Sequence, residues 1–297
     1  MATQSTSVPA TEGQLKQIRR LVEDAAEKAA KQLGLDKDAM QRLVELGVVG
    51  LVPHFVMLFS NLVLTDEFAD EEVESNYGYL SGYKLRPVAE QMTTLKSIFP
   101  QLESFDESAA AKELQLGSEG NFLIPRWQEL APTYGEAVEL VLAALKKSRN
   151  GRFVNYRENE LGPDRLRESA KKSDMFQKLG NEQKGHNVLV VQAQFGLRHR
   201  GKSVRRARVV MGGNECGLGA FEIGIMLLTH PDRLANYDDL YVDCAGDEYT
   251  PAADGVFHDA PCFRFRGERL EFCTGGVYGP RAYCGSASAF VVAVPSE

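Results

Sequence analysis

The spacing of the apolar residues changes along this chain, and the change limits the folds that it can adopt. Before Asn150-Gly151 the apolar residues recur every three or four positions, which is the period of helices packed through one face. After that point, short apolar or alternating runs are separated by glycine-rich turns, a pattern typical of strands. We therefore predict an α+β protein with a helical domain at 1–150, followed by a domain of short antiparallel strands at 151–297.

The predicted helices of the first half have recognisable ends. Gly34 closes the first segment, Pro87 lies near the start of the third and Pro100 stops it. The last segment has Glu136 at its beginning and two lysines at its end, as the helix dipole favours. The predicted segments are 15–33, 36–46, 87–98, 109–116 and 136–147.

The second half contains a clear hairpin pattern. Two alternating runs flank Gly267-Glu268, which predicts a tight turn between two antiparallel strands. The alternation turns Phe263, Phe265, Leu270 and Phe272 toward the core, and it exposes Cys262, Arg264, Arg266, Arg269 and Cys273. Further strands are predicted at 187–193, 240–244 and 289–294, and 220–228 fits a buried helix or a strand.

Composition excludes several classes of protein. A hydrophobic content of 43% and a charged content of 25% are globular, and a net charge of -7 argues against a surface that serves nucleic acid as a whole. The five cysteines include no C-x-x-C pair, so they indicate neither a disulfide framework nor a standard zinc site. The first eleven residues lack the apolar core of a signal peptide, and the apolar run 48–64 is too short to span a membrane. We expect a cytoplasmic protein with no membrane contact, no metal and no cofactor.

Two sets of side chains could carry catalysis. The acidic cluster could bind a hard cation or act as acid and base, or its carboxylates could cap a strand-ending turn; it consists of Asp243, Asp247 and Glu248. A nucleophile–base pair could form between His199 and Cys216, or between His199 and Cys244 with Asp243. No local signature of a cysteine enzyme accompanies either pair.

The segment Arg198–Arg208 is the basic centre of an acidic chain. Gly196–Ser203 satisfies the spacing of a P-loop and ends in Gly-Lys-Ser, with a predicted strand before it. The chain lacks the repeated β-α alternation of P-loop folds, and the arginines could instead pair with carboxylates of the same domain. A phosphate- or nucleotide-handling enzyme using this loop is the alternative function, and nucleic acid is a possible partner of the basic segment.

The end of the chain lacks five amino-acid types. Phe272–Ser296 contains no Lys, Glu, Gln, Trp or Met, and these are the residues that no codon of the form N-N-C can encode. The same stretch is rich in glycine and contains cysteine, tyrosine and arginine, at Cys273, Tyr278, Arg281, Tyr283 and Cys284.

This tail resembles the diversified C-terminus of the variable proteins of diversity-generating retroelements. In that family, reverse transcription randomises template adenines, so that AAC codons become N-N-C codons in a protein that usually has a C-type-lectin-like fold. The resemblance implies a C-type-lectin-like domain at 151–297 and a non-enzymatic protein that binds a ligand through the surface at 262–284. The binding residues that it implies are Cys262, Arg264, Arg266, Cys273, Gly275, Gly276, Val277, Tyr278, Pro280, Arg281, Tyr283 and Cys284.

The residue chemistry of this tail suits recognition. Rigid aromatic side chains and forked guanidinium groups dominate binding surfaces, so an unknown protein or surface ligand is the expected partner. The other interpretation is an ordinary β-rich domain whose terminal loop is rich in small residues. A third possibility is an assembly protein, in which the helix at Leu15–Leu33 forms a homo-oligomer.

Overall fold

The computed structural model describes residues 11–62, 67–252 and 254–291. The chain divides into two compact units, Met1–Val56 and Met57–Glu297. Helices lie toward the N-terminus and mainly antiparallel sheets lie toward the C-terminus. The predicted mixture of helical and antiparallel strand regions, in that order, is therefore confirmed.

Two helices form the N-terminal part of the chain. Helix α1, Glu12–Leu33, ends at Gly34, whose φ of 62° is the left-handed conformation that glycine adopts without a steric penalty. Helix α2, Lys37–Leu62, begins after Asp36, which accepts a hydrogen bond from a backbone amide of the first turn. The backbone leaves the helical conformation at Gly47, close to the predicted end of this helix at residue 46. None of the helices in the described ranges is long and apolar enough to cross a membrane.

The second unit contains the remaining helices. The prediction of a helix at 109–116 is wrong beyond its first residues, because the helix capped by Asp106 is a single turn. The run 220–228 is a helix, and every one of its residues is buried. These helices are α3 (Val88–Ile98), α4 (Glu107–Ala110), α5 (Tyr134–Ser148), α6 (Ala170–Glu182), α7 (Val204–Val210) and α8 (Ala220–Thr229).

Two sheets organise the strands of the second unit. The first has the order β1-β4-β11-β5 and is antiparallel throughout; it comprises β1 (Gly120–Pro125), β4 (Val188–Gln194), β5 (Glu215–Gly217) and β11 (Ser288–Phe290). The second comprises β2 (Phe153–Asn155), β3 (Leu166–Glu168), β6 (Tyr241–Asp243), β7 (Asp247–Tyr249), β8 (Asp259–Arg266), β9 (Arg269–Gly276) and β10 (Cys284–Ser286). Within the second sheet, β10–β6 and β2–β9 are parallel pairs.

The first sheet extends across residue 150. Strand β1 lies before that position and pairs along its whole length with β4, and α5 packs against α8. The compact units therefore divide after residue 56, whereas the sequence pattern placed a boundary near Asn150-Gly151. Both residues of that pair do have positive φ and end α5, so the local break is real although the chain continues within one unit.

The predicted hairpin is present as strands β8 and β9. Gly267 and Glu268 both have positive φ, as a type I′ turn requires. Phe263, Leu270 and Phe272 are buried as predicted, whereas Phe265 is only partly buried.

The cysteines of the hairpin differ from the prediction. Cys262 and Cys273 lie opposite each other in register, with Cα atoms 5.3 Å apart, and they form a disulfide. The number of cysteines did not indicate this bond, because a count carries no information on which strands pair. Cys273 is also buried rather than exposed. On this face of the sheet, Arg281 and Cys284 line a small cavity together with Cys262.

Candidate functional site

A pocket of about 240 Å³ opens beside the hairpin, and tyrosines and arginines form most of its wall. We call it the tyrosine–arginine pocket. Its lining consists of Tyr77, Tyr237, Tyr241, Cys262, Arg264, Arg266, Arg281, Tyr283 and Cys284. Six of these residues belong to the set that the resemblance implied, so the fold gathers distant parts of that set at one place.

Backbone hydrogen bonds hold three separate segments side by side around this pocket. The Tyr241 amide donates to the Tyr283 carbonyl at 2.9 Å, and the Leu240 amide donates to the Gly78 carbonyl at 2.9 Å. Arg200 donates from its guanidinium to the Tyr77 carbonyl at 2.9 Å. Since each segment is fixed through its main chain, the side chains that face the pocket can differ without loss of these bonds.

The tyrosines are packed edge to face. The Tyr283 ring centroid lies 5.3 Å from that of Tyr241 and 6.3 Å from that of Tyr77, with interplanar angles of 69° and 70°. This is the preferred geometry of aromatic pairs, and it holds the rings in place. Each ring also carries a polar hydroxyl group at its end. Tyr237 and Tyr283 are exposed by 61% and 40%, so both rings present apolar surface to a ligand.

The three arginines of the pocket differ in their partners. Arg264 donates through Nε to the Glu271 carboxylate at 2.8 Å, and Arg269 donates to the same carboxylate at 3.2 Å. Arg266 and Arg281 are exposed. None of the described residues that line the pocket is acidic, so its wall is positively charged in a chain of net charge -7.

A smaller cavity of about 20 Å³, close to the volume of one water molecule, adjoins the pocket behind Arg281. Asp243 lies in its wall, and burial raises the pKa of this carboxyl to about 6, while Arg281 opposes the shift. Cys284 lines both cavities, and burial raises the pKa of its thiol well above the ordinary range. The thiol is therefore not activated as a nucleophile.

The predicted binding residues fall into three groups by exposure. Four are exposed, namely Arg266, Tyr278, Arg281 and Tyr283. Six are partly buried: Cys262, Arg264, Gly275, Gly276, Val277 and Pro280. Cys273 and Cys284 are buried, and Val277 packs against an apolar cluster that includes Val204 and Met211. These last three residues therefore belong to the scaffold rather than to an exposed surface.

Sequence reasoning missed Tyr77, Tyr237 and Tyr241 as members of the site. They lie outside the tail, and Tyr241 is brought to it by the pairing of β6 with β10. The repeated tyrosines of the run 77–83 were the available signal in the sequence.

The predicted acidic cluster is dispersed in the structure. Asp243 faces the small cavity, Asp247 is fully buried, and Glu248 pairs with Arg167 at 2.7 Å. Within the described ranges, no group of three or more His, Cys, Asp or Glu side chains is arranged to hold a metal ion.

Asp247 belongs instead to a buried ionic cluster that the sequence did not reveal. Its centre is Lys172, whose Nζ lies 3.1 Å from Asp247, 2.7 Å from Glu222 and 3.2 Å from Glu168. The Tyr134 hydroxyl donates to Asp247 at 2.8 Å. Burial raises the pKa of Glu222 to about 7, although Lys172 opposes the shift. The cluster joins β3, α5, α6, α8 and β7.

His199 does not form the expected nucleophile–base pair. Its Nε2 lies 2.7 Å from the Glu215 carboxylate, which also accepts hydrogen bonds from Arg198 and Ser288. Burial raises the pKa of Cys216 to about 12, so its thiol stays protonated at neutral pH.

The cation and hydroxyl of the loop Gly196–Ser203 are bound by carboxylates of the chain itself. Lys202 lies 3.0 Å from the Glu72 carboxylate, and the Ser203 hydroxyl donates to Glu71 at 2.6 Å. The preceding strand belongs to an antiparallel sheet, and the following helix α7 has only seven residues. Two carboxylates therefore occupy the position where a phosphate would need positive charge.

The rest of the basic segment is paired in the same way. Arg205 donates to Glu71 at 2.8 Å, and Arg206 lies 2.5 Å from Glu72. Arg208 donates to the backbone carbonyls of Ala245 and Asp247. The interpretation that these arginines pair with carboxylates of the second half holds for Arg198 with Glu215, whereas Arg205 and Arg206 pair with Glu71 and Glu72 of the first half.

Comparison with protein-family models, with curated proteins and with solved structures finds no match to this chain.

Proposed function

We propose that this chain is the variable protein of a diversity-generating retroelement. In this proposal it is a non-enzymatic ligand-binding protein, and its C-terminal region is a C-type-lectin-like domain whose surface at 262–284 displays diversified side chains. The partner is a protein or a surface ligand.

One observation carries the proposal: exposed residues of the tail lie around a pocket, while their neighbours are held in buried strands. Arg266, Arg281 and Tyr283 face the tyrosine–arginine pocket, and Tyr278 is exposed nearby. Phe263, Leu270 and Phe272 of the same hairpin are buried. This arrangement separates the residues that hold the fold from those that could vary, as a diversified surface requires.

Codon chemistry supports the same division. The tail from Phe272 to Ser296 contains only residues that N-N-C codons can encode. Several of its exposed residues are tyrosine and arginine, which supply large contact areas and forked hydrogen bonding in binding sites.

The buried cysteines change one part of the proposal. Cys262 and Cys273 form a disulfide, and Cys284 is buried between β6 and the pocket. These three residues are therefore proposed as structural members of the domain, and Arg264, which is tied to buried Glu271, joins them. Val277, which packs against an apolar cluster, and the partly buried Gly275 and Gly276 are set aside as well, so the displayed set narrows to Arg266, Tyr278, Pro280, Arg281 and Tyr283.

The DNA around the gene tests the proposal. We expect a reverse transcriptase gene nearby, together with a near-repeat of the 3′ end that differs from it only at adenines of the repeat. We expect those differences to fall in the codons of the displayed residues. A locus without the repeat, or differences spread over all four bases, would contradict the proposal.

A homo-oligomer formed through α1 remains a second proposal for assembly. This helix carries Leu15, Ile18 and Leu21 with exposed fractions of 57%, 45% and 58%. Apolar residues at this spacing form one stripe, which is typical of helices that pack against a partner helix.

A further inference from the structure

We propose that the tyrosine–arginine pocket binds an acidic segment of a protein partner, with a carboxylate held by Arg266 and Arg281. This inference rests on the proposed function, because it assumes that the surface at 262–284 binds a ligand. It goes further by naming the chemistry of the ligand and by adding Tyr77, Tyr237 and Tyr241 to the site.

Charge is the first argument. Three guanidinium groups line the pocket, and the described residues of its wall include no carboxylate that would neutralise them. Arg264 is tied to Glu271 outside the lining, which leaves Arg266 and Arg281 as exposed cations at the mouth. Asp243, in the small cavity behind Arg281, balances part of the charge of Arg281, and Arg266 has no such carboxyl in the pocket wall. A planar guanidinium matches a carboxylate through two parallel hydrogen bonds, so these two arginines suit an acidic side chain.

The aromatic wall is the second argument. Tyr241 and Tyr283 are packed edge to face, and Tyr237 stands exposed at the same pocket. Such a wall contacts the apolar stem of a side chain while its hydroxyl groups donate hydrogen bonds to an anion. A volume of about 240 Å³ is below the range typical of pockets for drug-sized ligands, which favours one or two side chains of a peptide.

Rigidity is the third argument. The Tyr241 amide donates to the Tyr283 carbonyl, the Tyr77 carbonyl accepts a hydrogen bond from the Arg200 guanidinium, and Cys262 is held in a disulfide. A pocket fixed in this way loses little conformational entropy when it binds, so its affinity depends on the chemistry of its lining.

The test is selection of a displayed random dodecapeptide library on the full-length protein, followed by titration of the selected peptides. We expect enrichment of Asp and Glu, with binding that weakens as sodium chloride is raised, because exposed charge pairs are screened by salt. The double variant Arg266→Gln, Arg281→Gln should bind the selected peptides about tenfold more weakly or worse, since each substitution removes a charge-assisted hydrogen-bond donor. Arg281→Lys keeps the positive charge but loses the paired donors of the guanidinium. Its affinity should lie between that of the unchanged protein and that of the double variant.

Arg269→Gln is the matched control. Arg269 lies on the same hairpin and is partly exposed, but it does not line the pocket. This variant should bind the selected peptides as the unchanged protein does. Because Arg266 and Arg281 are exposed, their substitution should leave the fold intact. Thermal unfolding of all variants verifies this.

Three outcomes would overturn the inference. Selected peptides could lack acidic enrichment, the double variant could bind them as well as the control, or oligothymidylate could bind more tightly than the peptides and depend on the same arginines. The outcome is independent of the DNA test. Acidic selectivity without a retroelement would refute only the proposed origin of the tail, and a retroelement without acidic selectivity would refute only the ligand chemistry.

Discussion

Two arginine-rich regions of this molecule use their charge in opposite ways. In the segment Arg198–Arg208, the cations are directed inward to Glu71, Glu72, Glu215 and backbone carbonyls. In the hairpin and the tail, Arg266 and Arg281 are exposed beside a pocket whose described lining has no acidic residue. The denser cluster in the sequence is the less available one in the structure. A cluster of basic residues in a sequence thus does not by itself indicate a binding surface, because the fold can pair these residues with carboxylates and carbonyls of the same chain.

The largest expected effect comes from the most buried cation. Lys172→Met should lower the free energy of unfolding by about 3 to 5 kcal/mol, because it leaves three carboxylates together in the interior without their cation. Urea unfolding followed by circular dichroism measures it. Lys178→Met is the control on the exposed face of α6 and should change stability little. Equal effects of the two changes would show that the buried cluster does not stabilise the unit.

A pH-dependent effect is expected at Asp243, behind the exposed Arg281. The folded state raises the pKa of this carboxyl from 3.8 to about 6, so the folded protein binds a proton that the unfolded chain releases. This contribution to stability is full below pH 3.8 and is lost as pH rises toward 6. A shift of this size corresponds to about 3 kcal/mol.

Asp243→Asn tests that dependence. The variant should gain stability relative to the unchanged protein as pH rises from about 4 to 7, measured by urea unfolding at each pH. Glu222→Gln is a useful second variant, because burial raises the pKa of Glu222 to about 7. The pH range over which this carboxyl changes the stability therefore extends higher than that of Asp243. A stability difference between Asp243→Asn and the unchanged protein that stays constant over this range would contradict the account.

The smallest expected effect compares one arginine from each region. Arg206→Met should lower the free energy of unfolding by about 1 to 3 kcal/mol, because its nearly buried guanidinium pairs with Glu72. Arg266→Met should change it by less than about 0.5 kcal/mol, because the side chain is exposed. Chemical unfolding of both variants measures the two changes in the free energy of unfolding. A larger loss for Arg266→Met than for Arg206→Met would contradict the contrast between the two arginine-rich regions.

The sequence predicted those parts of the fold that depend on neighbouring residues. The hairpin followed from alternation around Gly267-Glu268, and α1 and α5 followed from their periodicity and caps. Strand β1 was missed because its six residues pair with β4, which lies far along the chain. The Lys172 cluster was missed for the same reason, since its carboxylates come from β3, α8 and β7.

The site was predictable to the same extent. Arg266 was identified from the hairpin pattern, and Arg281 and Tyr283 from the composition of the tail, and all three line one pocket. Tyr77 and Tyr237 could not be assigned, because they lie far from the tail in the sequence and meet it only in the folded chain. The disulfide between Cys262 and Cys273 depends on strand register, which the number of cysteines does not give.

The central claim is that the hairpin and tail separate residues that hold the fold from residues that are displayed. Replacing each position of 262–284 with every amino acid, and measuring the protease resistance of each variant, tests it without knowledge of the ligand. The account predicts that Arg266, Tyr278, Arg281 and Tyr283 accept all residues that N-N-C codons encode. It also predicts that Phe263, Leu270 and Phe272 accept only large apolar residues. Equal sensitivity at the two sets of positions would contradict the claim.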